Sequence, residues 1–476
     1  FSKETVSHKF QNNTLFGNTA VINIPRNGDL ITNLFIELTV PELVSEKTDI
    51  DFPVKLDDQT GTSYTSLEVI TNLTNNNVLD LISQQTTIRE FCRNGHFRWI
   101  EYLGHYLLKS VEIYIGGNLI DTQYAEWMQI WYELNRKPNL DFTYNKLIGN
   151  IPEMFDPVSF WKFSNDANTN FKPISNNSDI PYIYDNTNSP LDEFNSLSDN
   201  YGTIKSRTLR IPLQFWFSKF YGHALPLIAL QYHDITLKVD FEKFDNLVLG
   251  KRDITKTYEI EDCSLLVDYI YLCPEERLLF TKSKHSYLIE QVQRQTQKLN
   301  KLHDRIDLNF NHPCKYLAWS IKTNQQQSFQ LKYIKSDNTE ILVDYSAQKN
   351  YTNFTTNMID KYSGKNIMKK CTIYVNNQEF TSTKSGDFFN EMEVWKYLKN
   401  NSSIGVYFFS FGIKPMDHMP SGTLNFSRQD NVALDIELNP IENIFPTSYD
   451  SEAHVYTVNY NILNIEGGMG AMLYID

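Results

Sequence analysis

Two stretches decide the fold: KSVEIYIGGNLIDTQYAEWMQIWYEL (residues 109–134) and KKCTIYVNNQEFTSTKSGDFFNEMEVWKYL (residues 369–398). The first reads as a strand, a Gly116-Gly117 turn, a short strand and a helix. The second repeats the plan. Ile373-Tyr374 answers Ile113-Tyr114, and Asn376-Asn377, also turn chemistry, answers the glycine pair. Both end in an aromatic helix. Trp127, Ile130, Trp131 and Leu134 share one face of the first, with Asp121 or Thr122 as its expected cap. Phe388, Met392 and Trp395 mark the second.

A second pair follows in the same order. FWFSKFYGHALPLIALQYHDITLKVDF (residues 215–241) matches YFFSFGIKPMDHMPSGTLNFSRQDNVALDIEL (residues 407–438). Each reads as an aromatic strand end, a turn ending in Pro226 or Pro420, and a strand beginning near Leu230 or Leu424. Ile113 and Pro226 lie 113 positions apart, but Ile373 and Pro420 only 47. The excess of 66 in the first copy is close to the length of the Pro- and Asn-rich region at 138–205. One β-domain has been duplicated, with a long loop inserted in its first copy.

The remaining sequence extends this plan. Residues 19–41 read as strand, tight turn at Pro25–Asp29, strand, with Leu34, Ile36, Leu38 and Val40 alternating. Asn27 and Gly28 tolerate the positive φ of a tight reversal. Residues 44–90 and 138–205 are expected to be long loops, functional or flexible. Residues 263–293 read as strand, short helix, strand, and residues 304–323 as two strands around His312-Pro313. Strands end the chain around Gly467-Gly468-Met469-Gly470. The expected class is all-β, two consecutive domains at 1–245 and 246–476 with short helices and long loops. The pattern fits a sandwich or a jelly roll without separating them.

Bulk properties exclude several classes. The 476 residues suffice for two cores. The net charge is −13, and no cluster of Lys and Arg offers a phosphate-binding face, so no direct nucleic-acid binding is expected. The most apolar window, residues 211–230, contains Lys219, His223, Pro212 and Pro226 and does not read as a membrane helix. Cys92, Cys263, Cys273, Cys314 and Cys371 are odd in number with no C-x-x-C pair; buried free thiols are expected. Phe1 is followed by no basic or apolar leader pattern, so no signal peptide is expected there. The lack of Met leaves the true N-terminus open.

No catalytic, cofactor-binding or metal-binding residue is assigned. H-e-x-x-h and g-x-s-x-g patterns are absent. Ser363-Gly364-Lys365 lacks the first glycine of a phosphate loop, because position 359 is Ile359. His96 and His105, like His303 and His312, lie nine apart with no paired Cys nearby. Tyr232-His233-Asp234 would point to opposite faces of a strand. Phe215-Trp216-Phe217 and Tyr407-Phe408-Phe409 read as core rather than sugar platforms. Glu275 and Glu276 read as acidic capping of a helix after Pro274, the alternative for them and Arg277 being an intersubunit ion pair. The sequons at Asn12, Asn72, Asn176, Asn353, Asn400, Asn401 and Asn425 are expected by chance in so Asn-rich a chain, and none is assigned a glycan.

Six stretches carry a family resemblance: FGNTAVINIPRNGDLITNLFIELTVP (16–41), LPLIALQYHDITLKVDF (225–241), VDYIYLCPEERLLFTKSKHSYLIEQVQ (267–293), LNFNHPCKYLAW (308–319), PSGTLNFSRQDNVAL (420–434) and NYNILNIEGGMGAMLYID (459–476). The chain resembles the major capsid proteins of the nucleocytoplasmic large DNA viruses, the phycodnavirus, iridovirus and mimivirus relatives. In that resemblance the second stretch closes the first barrel and the third enters the second. It implies two eight-stranded jelly rolls and a non-enzymatic homotrimer of pseudo-hexagonal outline. Such capsomers would pack against their neighbours in an icosahedral virion shell over an inner membrane, held by minor capsid proteins and assembled in the host cytoplasm. Surface glycans occur on some relatives. The loops carry no inserted domain of the kind that forms a large tower. The alternatives are a minor capsid or vertex protein of the same fold and, from another class, a carbohydrate-binding β-sandwich.

Overall fold

The computed structural model describes residues 1–44, 97–155, 161–162, 172–173, 203–249, 256–323, 329–334, 340–345, 352–356, 364–400, 402–439 and 451–474. Among the described residues, alternating apolar residues build sixteen principal strands, eight in each barrel. The first eight are β1 (Ser2–Lys9), β2 (Thr19–Asn23), β3 (Leu30–Val40), β4 (Leu108–Ile115), β5 (Asn118–Tyr124), β6 (Arg207–Pro212), β7 (Ile235–Phe241) and β8 (Glu261–Tyr271). They form two sheets in the orders β1-β8-β3-β6 and β2-β7-β4-β5.

The next eight are β9 (His285–Leu299), β10 (His303–Asp307), β11 (Pro313–Thr323), β12 (Met368–Val375), β13 (Gln378–Ser385), β14 (Val406–Ser410), β15 (Val432–Leu438) and β16 (Ser451–Glu466). Their sheets run β9-β16-β11-β14 and β10-β15-β12-β13. The strand order repeats with every position advanced by eight. This is a jelly roll twice over, and it resolves the choice that periodicity left open.

Period two places the cores. Val111, Ile113 and Ile115 of β4 and Leu34, Ile36 and Leu38 of β3 are buried in the first barrel. Leu317, Trp319 and Ile321 of β11 fill the second with Leu434 and Ile436 of β15. Each fully buried Leu or Ile contributes roughly 1.5–3 kcal/mol of transfer free energy. The reversals between β4 and β5 and between β12 and β13 are the two-residue turns expected. Gly116 and Gly117 have φ of 57° and 82°, Asn376 and Asn377 of 51° and 61°.

Several expectations are corrected. β8 pairs with both β1 and β3, so it is the eighth strand of the first barrel, and a division after residue 245 leaves it out. The stretch at 225–241 therefore supplies the seventh strand rather than the closing one. Residues 19–41 are not a hairpin, because β2 and β3 lie in different sheets. The connection crosses the barrel, and neither Asn27 nor Gly28 has positive φ. Gly28 answers a close approach instead: a Cβ there would sit 2.6 Å from Cβ of Tyr269.

The second repeat pair also shifts. Leu225–Pro226 pairs with β3 and Leu424–Asn425 with β11, and a 3-10 turn follows each, at Leu227–Ala229 and Phe426–Arg428. Pro226 thus corresponds to Asn425, not Pro420, and the long strands begin at Ile235 and Val432. The run at Phe215 enters a helical turn, Trp216–Lys219, whereas Tyr407–Phe409 lie within β14. Residues 138–155 are largely helical, through Pro138–Leu140, Asp141–Ile148 and Pro152–Phe155. Most of 156–202 and nearly all of the 44–90 loop lie outside the described residues, as does Cys92.

Helix α1 (Ala125–Asn135) follows β5 directly. Tyr124 occupies its cap position; Asp121 and Thr122 belong to the preceding strand. Helix α2 (Pro274–Lys282) links the barrels, and Glu276 accepts the Cys273 N–H at 3.1 Å, as acidic capping predicts. Arg277 pairs with Asp29 of the same chain at 3.1 Å. After β13, a π-helical turn (Phe388–Met392) runs into α3 (Glu393–Tyr397). Its buried side chains are Phe389, Asn390, Glu393 and Val394; of the expected face, Met392 and Trp395 point outward, while Phe388 is half-buried against the second core.

Candidate functional site

The described chemistry gathers where the two barrels meet. Trp127, Ile130 and Leu134 of α1 leave their own barrel and lie on the outer face of the second barrel's β9-β16-β11-β14 sheet, against Tyr316, Ala318, Tyr456 and Val458. The ring of Trp127 is 5.5 Å from that of Tyr456 and 6.4 Å from that of Tyr316, centroid to centroid. Met128 points the other way, into the first core. Helical spacing gives α1 two apolar faces, one per barrel.

Charged groups are drawn into the same seam. Glu126 of α1 lies 3.0 Å from Nζ of Lys322 on β11 and 2.6 Å from Nδ1 of His454 on β16, and Ser320 donates to it. Burial alone would push its carboxyl up, but Lys322 and His454 outweigh that and hold it well below the usual carboxylate range. A second cluster sits along the seam. Lys219 of the first barrel reaches Glu290 of β9 at 3.0 Å, and Lys315 of β11 bonds the other Glu290 oxygen. Against burial, the two lysines bring Glu290 down to about 2.

Backbone groups complete the joint. Asp121 accepts the Val292 N–H at 2.9 Å, and Gln291 donates to the Ile120 carbonyl. Burial raises the Asp121 carboxyl to about 7, opposed by the Val292 hydrogen bond. Glu133 accepts the Ser403 N–H at 2.6 Å, and Asn400 donates to the Arg136 carbonyl. Removing one member of such a buried pair costs about 3–5 kcal/mol, because the other charge is left uncompensated. The seam therefore fixes the barrels in one relative arrangement.

The residues weighed for other chemistry take structural places. Tyr232, His233 and Asp234 lie in a loop rather than a strand. There His233 Nδ1 receives the Gly470 N–H at 3.2 Å, and Asp234 pairs with Arg26 at 3.0 Å. His105 is buried, its ring bonded to Gln129 and Tyr144, and burial lowers it to about 4. His303 meets Asp435 at 2.9 Å. His96 and Ser363 lie outside the described residues.

Phe215, Trp216, Phe217, Tyr407, Phe408 and Phe409 are all buried in the cores and the seam, unavailable as sugar platforms. Cys314 and Cys371 are buried thiols and Cys263 and Cys273 half-buried ones. Among the described residues no cluster of His, Cys, Asp and Glu is placed to hold a metal ion, and no helix is long and apolar enough to cross a membrane.

Sequence reasoning missed the seam's acids and lysines. The signal was present only as charged residues inside apolar patterns: Glu126 on an aromatic helix, Lys315 and Lys322 within a buried strand.

Comparison with known proteins gives the same architecture. Residues 1–273 match the family described as major capsid protein N-terminus, and residues 276–471 the large eukaryotic DNA virus major capsid protein. The major capsid protein of Phaeocystis pouchetii virus is 25% identical over 554 aligned positions, covering 100% of this chain and 93% of that protein. That of Pyramimonas orientalis virus is 26% identical, covering 100% and 90%. Among solved structures, the PBCV-1 virus capsid superposes with a TM-score of 0.65 at 23% identity over 100% of this chain and 97% of that one. The Faustovirus major capsid protein gives 0.62 at 13% identity, covering 98% and 91%. The two matched families meet at α2, between the barrels, and the chain belongs to the major capsid proteins of the large eukaryotic DNA viruses, a structural component of the virion shell.

Proposed function

We propose that three copies of this chain close into a capsomer of six barrels with pseudo-hexagonal outline, which tiles an icosahedral shell. The observation that carries this is the exact repetition of strand order in two barrels locked by a buried seam. A six-sided tile needs six similar sides, and two per chain times three chains supplies them. The interface between chains is heterologous and closes by rotation.

The chain's domains divide at α2, giving units of residues 1–273 and 276–476. Its work is packing rather than catalysis, in keeping with buried aromatic runs and histidines engaged in structural bonds. Its neighbours are other capsomers and minor capsid proteins, with the inner membrane reached only through them. Outer loops are the place for surface glycans. The net charge of −13 opposes direct contact with nucleic acid. Assembly takes place in the host cytoplasm.

Light scattering on the purified protein tests this. A particle of three times 55.6 kDa is expected. A pentamer would move the chain to a vertex role, and a stable monomer with saccharide-dependent turnover would overturn the capsid reading.

A further inference from the structure

The duplicated helices differ in one respect. Trp127, Trp131 and Leu134 of α1 correspond, at a constant offset of 261 positions, to Phe388, Met392 and Trp395. In the first barrel this face is covered by the second barrel. In the second barrel Phe388 turns onto its own core, but Trp395 is 83% exposed and Met392 49%. Large exposed side chains of this kind, grouped on one helix face, mark interaction surfaces.

The surface that covers α1 also has a counterpart. Across the second barrel's sheet runs the row Arg294, Tyr456, Ala318, Phe408, each paired with the next. The same row in the first barrel is Ser7, Leu266, Phe35, Pro212. Leu266 and Phe35 are half-buried and lie outside the barrel's core cluster, so among the described residues this outer row lacks the helix that covers its equivalent.

Its polar borders are already satisfied. Asp268 accepts Thr5 at 2.5 Å, Asn33 at 2.9 Å and Lys3 at 2.7 Å. Glu37 pairs with Arg210 at 2.5 Å. The strip can be covered without stranding a polar group.

We propose that Met392 and Trp395 of one copy seat on the Leu266–Phe35–Pro212 row of a second copy, repeating between chains the contact that α1 makes within one. This rests on the trimer reading and deepens it: the uncovered helix and the uncovered row are the two halves of one head-to-tail interface. A second copy fits because both halves are present once per chain and each has its partner's equivalent inside the chain.

The test uses the full chain. Trp395→Asp, at an exposed position, should keep the wild-type circular dichroism and shift self-association to at least about tenfold higher protein concentration. Leu266→Cys with Trp395→Cys should form interchain disulfides on mild oxidation, seen as covalent dimers and trimers on non-reducing gels, while each single variant does not. A wild type that is trimeric, with Trp395→Asp equally trimeric and no link specific to the double variant, overturns this interface and leaves the trimer standing. A monomeric wild type overturns both.

Discussion

The helix α1 and the π-helical turn with α3 are copies of one element in different surroundings. Both follow a hairpin with a positive-φ turn, and both pack on their own core, through Met128 in the first and Phe389 with Phe388 in the second. They differ in what the opposite face meets. Around α1 the seam has gathered Trp127, a buried Glu126 and its cationic partners. Trp395 stands exposed on the surface of the single chain. The contrast shows that an element's chemistry follows the partner it covers more than the strand pattern it grew from, since burial is what demands paired charge and close-packed rings.

Substitutions should separate the two copies. Trp127→Ala opens a cavity in the seam and should cost about 3–5 kcal/mol in chemical denaturation. Trp395→Ala, measured at dilutions where the chain is monomeric, should stay within about 0.5 kcal/mol. Next in size, Glu126→Gln removes the buried carboxylate that Lys322 and His454 share and should cost about 3 kcal/mol, whereas Glu391→Gln on the uncovered helix should change little.

The pH dependence sharpens the same contrast. Glu126 and Glu290 are depressed in the folded state, so their stabilisation is present above the unfolded carboxylate range. It is lost as pH falls, for Glu290 down through about 2. Asp121 has the opposite sign. Its folded value of about 7 lies above the unfolded one, so it binds a proton more tightly when folded and stability falls as pH rises toward 7. Asp121→Asn should therefore raise stability above pH 7 by about 1–2 kcal/mol and flatten the profile between pH 5 and 7. Gln123 Nε2, which donates to Asp121 at 2.8 Å, must then turn its amide over so that Oε1 accepts from the new amide. Thermal unfolding across pH would show either result. Smallest of all, Asn377→Gly relieves a left-handed residue at φ 61° and should stabilise the second barrel's hairpin by a few tenths of a kcal/mol, about what the first already has in Gly117.

The hairpin turns were legible because their demand is local: only residues tolerant of positive φ suit a two-residue reversal, and Gly116-Gly117 and Asn376-Asn377 say so directly. The seam was not. Glu126 and Ser320 are 194 positions apart, and nothing in the alternation of β11 tells that its outer face will lie under another barrel. The boundary failed for the same reason. Glu261–Tyr271 reads as a strand wherever it pairs, and only its register with Ser2–Lys9 and Leu30–Thr39 assigns it to the first barrel. The expected tight turn at Pro25–Asp29 was misread because glycine serves two ends. Gly28 is there for the approach of Tyr269, not for its φ.

The central claim is that the seam inside the chain is reused between chains. A density map of the assembled capsomer tests it most directly. It should show Trp395 of each copy lying on Phe35 and Leu266 of the next, as Leu134 of α1 lies with Ala318 and Tyr456 within one. A map in which the helix bearing Trp395 faces solvent, with the first barrel's outer row covered by some other segment, would contradict it.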